Sequence, residues 1–341
     1  MLKRITLAAA LVLGLARFEA GADEARLIRD MNGRAVTLPQ QIVRAIGTGG
    51  AVDAWFVMLG VREKLVGTSR QLADNAWLAK IDPAIARLPL IYSDNRIDRE
   101  LLAASRPQAA LLLSGVAARE QIEKTGVPIV MFERETPEQM QDAIELAGQV
   151  LGAEALAQAR AYRAYFQANI ARIRHKTSGL PTASLPRVYY AASDPLITEG
   201  GRSIVTSWIE LAGGRNVAAD AGAIGLGQSV QLEDLLHWNP EIIIAFTPSV
   251  RDQILLDPRW QGVDAVRNHR VVVNPRGVYP WSTRSAEVAL QTLWAARTIH
   301  PELFSDIDLT AETRAFHRRF YRYDLTDDEA GRMLAAQPPA Y

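Results

Sequence analysis

The 341-residue chain contains no cysteine. That excludes disulfides, thiolate metal sites, iron–sulfur ligation, a cysteine nucleophile and a lipidated N-terminal cysteine. Charge of one sign is not in excess either: Lys+Arg and Asp+Glu stand at 38 each, so no basic field points to nucleic acid. After the N-terminus no run of about 18 uninterrupted apolar residues occurs, so the mature chain is expected to be soluble. The chain has no G-x-S-x-G elbow, no H-E-x-x-H zinc helix and no G-x-x-x-x-G-K-[ST] phosphate loop. Gly201-Arg202-Ser203 opens a helix but lacks the elbow spacing. An exported α/β hydrolase is therefore the weakest reading, and no enzyme is expected. Histidine is scarce: His175, His237, His269, His300 and His317 all lie in the second half. A bare zinc or manganese site between two halves needs ligands from both. Each histidine is thus expected to be structural, with no metal held directly and no cofactor.

The N-terminus carries an export pattern. Lys3 and Arg4 precede an apolar stretch from Ile5 to Leu15, and Ala20-Gly21-Ala22 offers a small-residue cleavage site. Residues 1–22 read as a signal peptide whose removal leaves a net charge near −2. A disulfide-free exported protein fits a periplasm.

One segment occurs twice. Asp98-Arg99-Glu100-Leu101-Leu102 leads through Pro107 to Ala109-Ala110-Leu111-Leu112-Leu113; Gln231-Leu232-Glu233-Asp234-Leu235-Leu236 leads through Pro240 to Ile242-Ile243-Ile244-Ala245. In both copies proline falls seven positions after glutamate, and the copies lie 133 residues apart, too far for a solenoid period. A short helix with an exposed glutamate, an X-Pro turn and a buried strand are predicted in each.

Around these copies the pattern is α/β. Residues 23 to 40 predict an edge hairpin turning at Asn32-Gly33. Strands are predicted at Ile42 to Ile46, Leu65 to Gly67, Pro89 to Tyr92, Val127 to Met131, Arg187 to Ala192 and Arg270 to Val273. Helices alternate with them, which predicts parallel, doubly wound sheets. Ala153 to Lys176 contains neither glycine nor proline and predicts one rod of roughly 36 Å at ~1.5 Å per residue. The expected organisation is a first α/β lobe (23–152), a connecting helix (153–180) and a second α/β lobe (181–341).

Several segments carry a resemblance to a known family. They are Gly47-Thr48-Gly49-Gly50-Ala51-Val52-Asp53 with Leu59-Gly60 and Leu65-Val66-Gly67, and the two Glu…Pro segments. They include Ser203…Trp208…Leu211-Ala212-Gly213-Gly214-Arg215-Asn216-Val217-Ala218, and Val278-Tyr279-Pro280-Trp281…Ala295-Ala296…His300-Pro301-Glu302-Leu303-Phe304. In order and spacing, over roughly residues 25 to 325, the chain resembles the class III substrate-binding proteins of ABC importers, which carry iron–siderophore, haem or cobalamin in the periplasm. The resemblance implies two doubly wound α/β lobes joined by one long helix, a ligand cleft between them and little hinge closure. It also implies one glutamate per lobe, here Glu100 and Glu233, docking on arginines of an inner-membrane permease dimer. Two carboxylates on separate helices suit that task, because arginine–carboxylate pairs are directional and set register.

Ligand side chains are expected on loops at the C-terminal ends of strands: Thr48, Gly49, Gly50, Tyr92 and Arg134 in the first lobe, Arg202, Tyr279, Trp281 and Arg284 in the second. Aromatic faces suit large planar ligands and arginines suit anionic chelates, with Tyr279 and Trp281 the preferred aromatic pair. The expected function is monomeric capture and delivery of a metal chelate, iron–siderophore first, then haem or cobalamin. The alternative is a bare or small-chelate transition metal such as nickel, zinc or manganese.

Overall fold

The computed structural model describes residues 25–340; the signal peptide expected at 1–22 lies outside them. β1 (Ala25–Arg29) and β2 (Ala35–Pro39) pair antiparallel, and Gly33 takes φ 79° in their turn. Asp30 fixes that turn by accepting from the backbone N–H groups of Asn32 and Arg34. The hairpin does not edge a larger sheet, as expected from sequence, but forms a two-stranded sheet of its own.

The first lobe continues with β3 (Ala45–Gly47), β4 (Thr68–Ser69), β5 (Leu90–Ser93), β6 (Arg96–Ile97), β7 (Ala109–Leu113) and β8 (Ile129–Phe132). One sheet is parallel, in the order β3-β7-β8; a smaller one has the order β4-β5-β6. The second lobe holds β9 (Arg187–Ala191), β10 (Ile197–Thr198), β11 (Arg215–Asn216), β12 (Gln228–Ser229), β13 (Ile242–Ala245) and β14 (Val271–Val273). Its main sheet is parallel, β11-β9-β13-β14, and β10 pairs with β12. Strands β7, β8 and β13 are buried along their whole length, so they read as unbroken apolar runs rather than alternating ones.

The principal helices are α1 (Gly50–Met58), α2 (Arg99–Ser105), α3 (Pro137–Leu151), α4 (Ala153–Thr177), α5 (Ile204–Leu211), α6 (Leu232–Trp238), α7 (Val288–Ile299), α8 (Leu309–Phe316) and α9 (Asp327–Leu334). The 25-residue α4 is the expected rod. It doubles back on α3 at Gly152, and Gly148 lets the two approach closely: a Cβ there would lie 2.8 Å from the Leu156 backbone. Toward the second lobe, Tyr162 Oη and Asn169 Nδ2 on α4 donate to the carbonyls of Ala286 and Ala289.

One hydrophobic core runs through both lobes, joining Trp55 and Phe132 to Tyr162 and Phe166 of α4 and to Tyr190, Trp208 and Leu293. Each sheet also has an outer apolar layer of its own. In β7, Leu111 and Leu113 face the shared core while Ala110 and Leu112 face outward under Leu102 of α2. In β13, Ile242 and Ile244 face the shared core while Ile243 and Ala245 lie under Leu235 of α6.

The predicted repeat is thus physical. Both short helices end in a left-handed residue, Arg106 (φ 42°) and Asn239 (φ 43°), immediately before the proline. Gln108 Oε1 accepts from the backbone N–H of Arg44, and Glu241 Oε2 from that of Arg187. Arg44 and Arg187 in turn donate to helix-end carbonyls, of Ser105 and Asn239.

The end of the chain departs from the expected division. After α8 the residues assigned to the second lobe return to the first. Leu325, Ala330 and Met333 enclose Trp77, whose Nε1 donates to the Gln337 carbonyl at 2.9 Å. Lys80 pairs with Glu329 at 2.6 Å.

Candidate functional site

The site begins where β3 ends. Gly49 holds φ 144° and ψ 145°, a conformation open to glycine, and α1 starts at the next residue without a side-chain cap. Every residue of α1 is buried, including Asp53. The Asp53 Oδ2 accepts from the Ser69 N–H at 3.0 Å and the Thr68 hydroxyl at 3.4 Å, tying β4 to α1. Its Oδ1 abuts Gly47, where a Cβ would lie 2.0 Å away. Burial pushes this carboxyl up to about 7, outweighing the hydrogen bonds that pull it down. The hydroxyls of Thr48 and Ser69, 2% and 1% exposed, have no hydrogen-bond partner.

These groups form one wall of a cleft of about 700 Å³ between the lobes. Four guanidiniums line it, those of Arg70, Arg134, Arg276 and Arg284, against one carboxylate, Asp94. Arg284 is held from both lobes. Its Nη1 meets Glu199 Oε1 at 3.1 Å and its Nη2 meets Glu135 Oε2 at 2.7 Å. Burial alone would lower the Arg284 guanidinium, but Glu199, then Glu135, hold it above its ordinary value. Burial raises Glu199, and Arg284 only partly offsets this. Arg134 is lowered by burial and then by the nearby Arg284 charge; its Nε has no hydrogen-bond partner. Arg276 is exposed at the rim and is in no ion pair among the described residues. Arg134 shares Glu135 with Arg284, its Nε lying 3.5 Å from Glu135 Oε1, so Arg276 is the lining guanidinium left outside any ion pair among the described residues.

Of the sequence-predicted residues, Thr48, Gly49, Tyr92, Arg134, Tyr279 and Arg284 converge on the cleft. Gly50 lies just behind the lining, where a Cβ would meet the Tyr279 ring at 2.9 Å, so its bareness lets Tyr279 close over the start of α1. Two expectations are corrected. Arg202 is exposed at φ 58° outside the lining. Trp281 is fully buried in the shared core, because the loop turns its ring inward.

Sequence reasoning missed Ser69, Arg70, Arg276 and the supporting carboxylates Asp53, Glu135 and Glu287. The buried Glu287 accepts from the backbone N–H groups of Val278 and Tyr279, at 3.0 and 2.6 Å, and so fixes the aromatic loop. The Pro-flanked aromatic run pointed to a built loop; nothing nearby in sequence pointed to its anchor. His317 Nε2 lies 3.3 Å from Glu287, and His300 contacts the Gly213 carbonyl, so both pack within the protein. No group of three or more His, Asp or Glu side chains converges as a metal site among the described residues.

Glu100 and Glu233 are both exposed, each the second residue of its helix. Asp98 caps α2 by accepting from Leu101 N–H at 2.9 Å, and Asp234 accepts from Gln231 N–H at 3.3 Å in α6.

Comparison with known proteins agrees with this architecture. Residues 46–276 match the family model described as periplasmic binding protein. The chain is 27% identical to the molybdate-binding protein MolA of Haemophilus influenzae, over 97% of this chain and all of that one. The MolA structure with molybdate bound superposes at a TM-score of 0.78, with 24% identity over 88% of this chain and 99% of MolA. Helicobacter pylori CeuE, solved with a nickel–histidine complex, superposes at 0.76, with 20% identity over 91% and 99% of the two chains.

Proposed function

We propose, from the premise that this chain belongs to the periplasmic binding protein family as a class III member, that it captures an anionic, metal-bearing small ligand in the inter-lobe cleft and hands it unchanged to an ABC importer. The observation carrying this reading is the lining itself: Arg70, Arg134, Arg276 and Arg284 gather on one cleft, with Arg276 outside any ion pair among the described residues. Guanidinium forks match the oxygens of oxyanions and of anionic chelates. A metal oxyanion of the molybdate kind takes first place, on the likeness to MolA across nearly the whole chain. The iron–siderophore reading takes second place, favoured by volume: about 700 Å³ lies within the usual range for drug-sized ligands of roughly 300–1,000 Å³. Thr48, Gly49, Tyr92, Arg134, Tyr279 and Arg284 are the ligand side of this proposal. Glu100 and Glu233 are its permease side, with the protein acting as a periplasmic monomer.

Calorimetry on ligand-stripped protein tests the reading, with molybdate, sulfate, a ferric tris-catecholate and haem as titrants. Molybdate is expected to bind most tightly, with the ferric chelate next. Uptake of haem alone, or of no member of the panel, refutes an anion-selective cleft.

A further inference from the structure

The buried hydroxyls of Thr48 and Ser69 are anomalous. Buried polar groups nearly always find a partner, and one left without is a cost to the folded state. Here two such groups flank the same point, the uncapped N-terminus of the nine-residue α1. The first N–H groups of a helix lack partners within it, and Gly49 brings no side chain to satisfy them. All of this opens on the cleft, which Thr48, Gly49, Ala51 and Ser69 line together. Ser69 is not free to drift from the spot, because its own N–H is held by Asp53 at 3.0 Å. Tyr279 closes the other side across Gly50.

We propose that the start of α1, with the Thr48 and Ser69 hydroxyls, is a seat for one oxygen-bearing anionic face of the ligand, in the cleft that Arg134 and Arg276 also line. The inference rests on the anionic-ligand reading and places it within the cleft. Hydroxyl and backbone donors supply directional bonds to oxygen, and the partial positive charge of the helix end favours an anion there. The guanidiniums supply the long-range attraction. Asp53 acts as a positioning residue: it fixes Ser69 and does not touch the ligand.

Thr48→Val and Ser69→Ala, singly and together in the full chain, test the seat. Both remove a hydroxyl that has no partner in the free protein, so melting temperature without ligand is expected to stay equal or rise. Affinity for molybdate is expected to fall roughly tenfold to a hundredfold per hydroxyl, the scale of a hydrogen bond to a charged group. Variants that bind molybdate as tightly as the parent overturn the seat while leaving the anionic reading standing. Variants that melt lower without ligand, in proportion to their loss of binding, show the hydroxyls to be structural and also overturn it. If the parent binds neither molybdate, sulfate nor the ferric catecholate, the anionic reading falls and the seat falls with it.

Discussion

Asp53 titrates with the opposite sign to most carboxylates. Its carboxyl is moved from 3.8 to about 7 by burial, so between those values the folded chain holds a proton that the unfolded chain releases. Its contribution is therefore complete below about pH 4 and is lost as pH climbs through 7. Among the described residues no cation pairs with it; the groups around it are Gly47, Thr68 and Ser69, and Tyr279 is the titratable neighbour that feels its charge. Asp53→Asn is expected to melt higher than the parent at pH 8 and to converge with it near pH 4.5; parallel melting curves across that range would contradict this. Arg284 is the complementary case. Arg284→Ala leaves Glu199 buried without its partner, and a cost of about 3–5 kcal/mol in urea unfolding is expected. Six of the nine residues expected on the cleft do line it, because loops near strand ends must open there. Ser69 and Arg70 were not, since a two-residue strand has no period to read. Trp281 misled for a different reason: flanking proline signals a loop, but only tertiary packing decides which way a loop turns its ring.

Among the elements, α2 and α6 are copies in detail: a buried leucine, a left-handed end, a proline and a strand whose alternate residues serve two apolar layers. The 133-residue offset made this visible in sequence, because caps and X-Pro turns are local chemistry. The long rod was read to within a residue for the same reason. Gly148 lies within α3 without breaking it, and its lack of a side chain serves the approach of α4. The matching frames give Glu100 and Glu233 the same exposed helical position. The double substitution Glu100→Ala, Glu233→Ala is expected to leave ligand affinity unchanged and to abolish stimulation of the permease ATPase in reconstituted vesicles. Normal transport by the double variant would exclude docking through these residues.

At the scale of the molecule, three connections oppose opening of the cleft: a core shared by both lobes, the α4 rod and the Arg284 clasp between Glu135 and Glu199. Small-angle scattering is expected to show no resolvable change in radius of gyration when ligand is added; a marked contraction would mean that the clasp yields. The return of the C-terminus was invisible in sequence, because no local pattern in residues 309–340 names Trp77 as the side chain they cover. Its energetic weight is local. Removing residues 322–341 uncovers Trp77, and a loss of several kcal/mol is expected, by analogy with truncating a buried aromatic. Chemical unfolding monitored through Trp77 measures it, and an unchanged midpoint would show the return to be ornamental.

That return also orders events in time. A polypeptide leaving a ribosome or a translocation channel presents its amino end first, yet Trp77 has no cover until Leu325, Met333 and Gln337 have followed it out. The amino-terminal half must therefore wait, incompletely sealed at Trp77, until residues 325–337 have joined it.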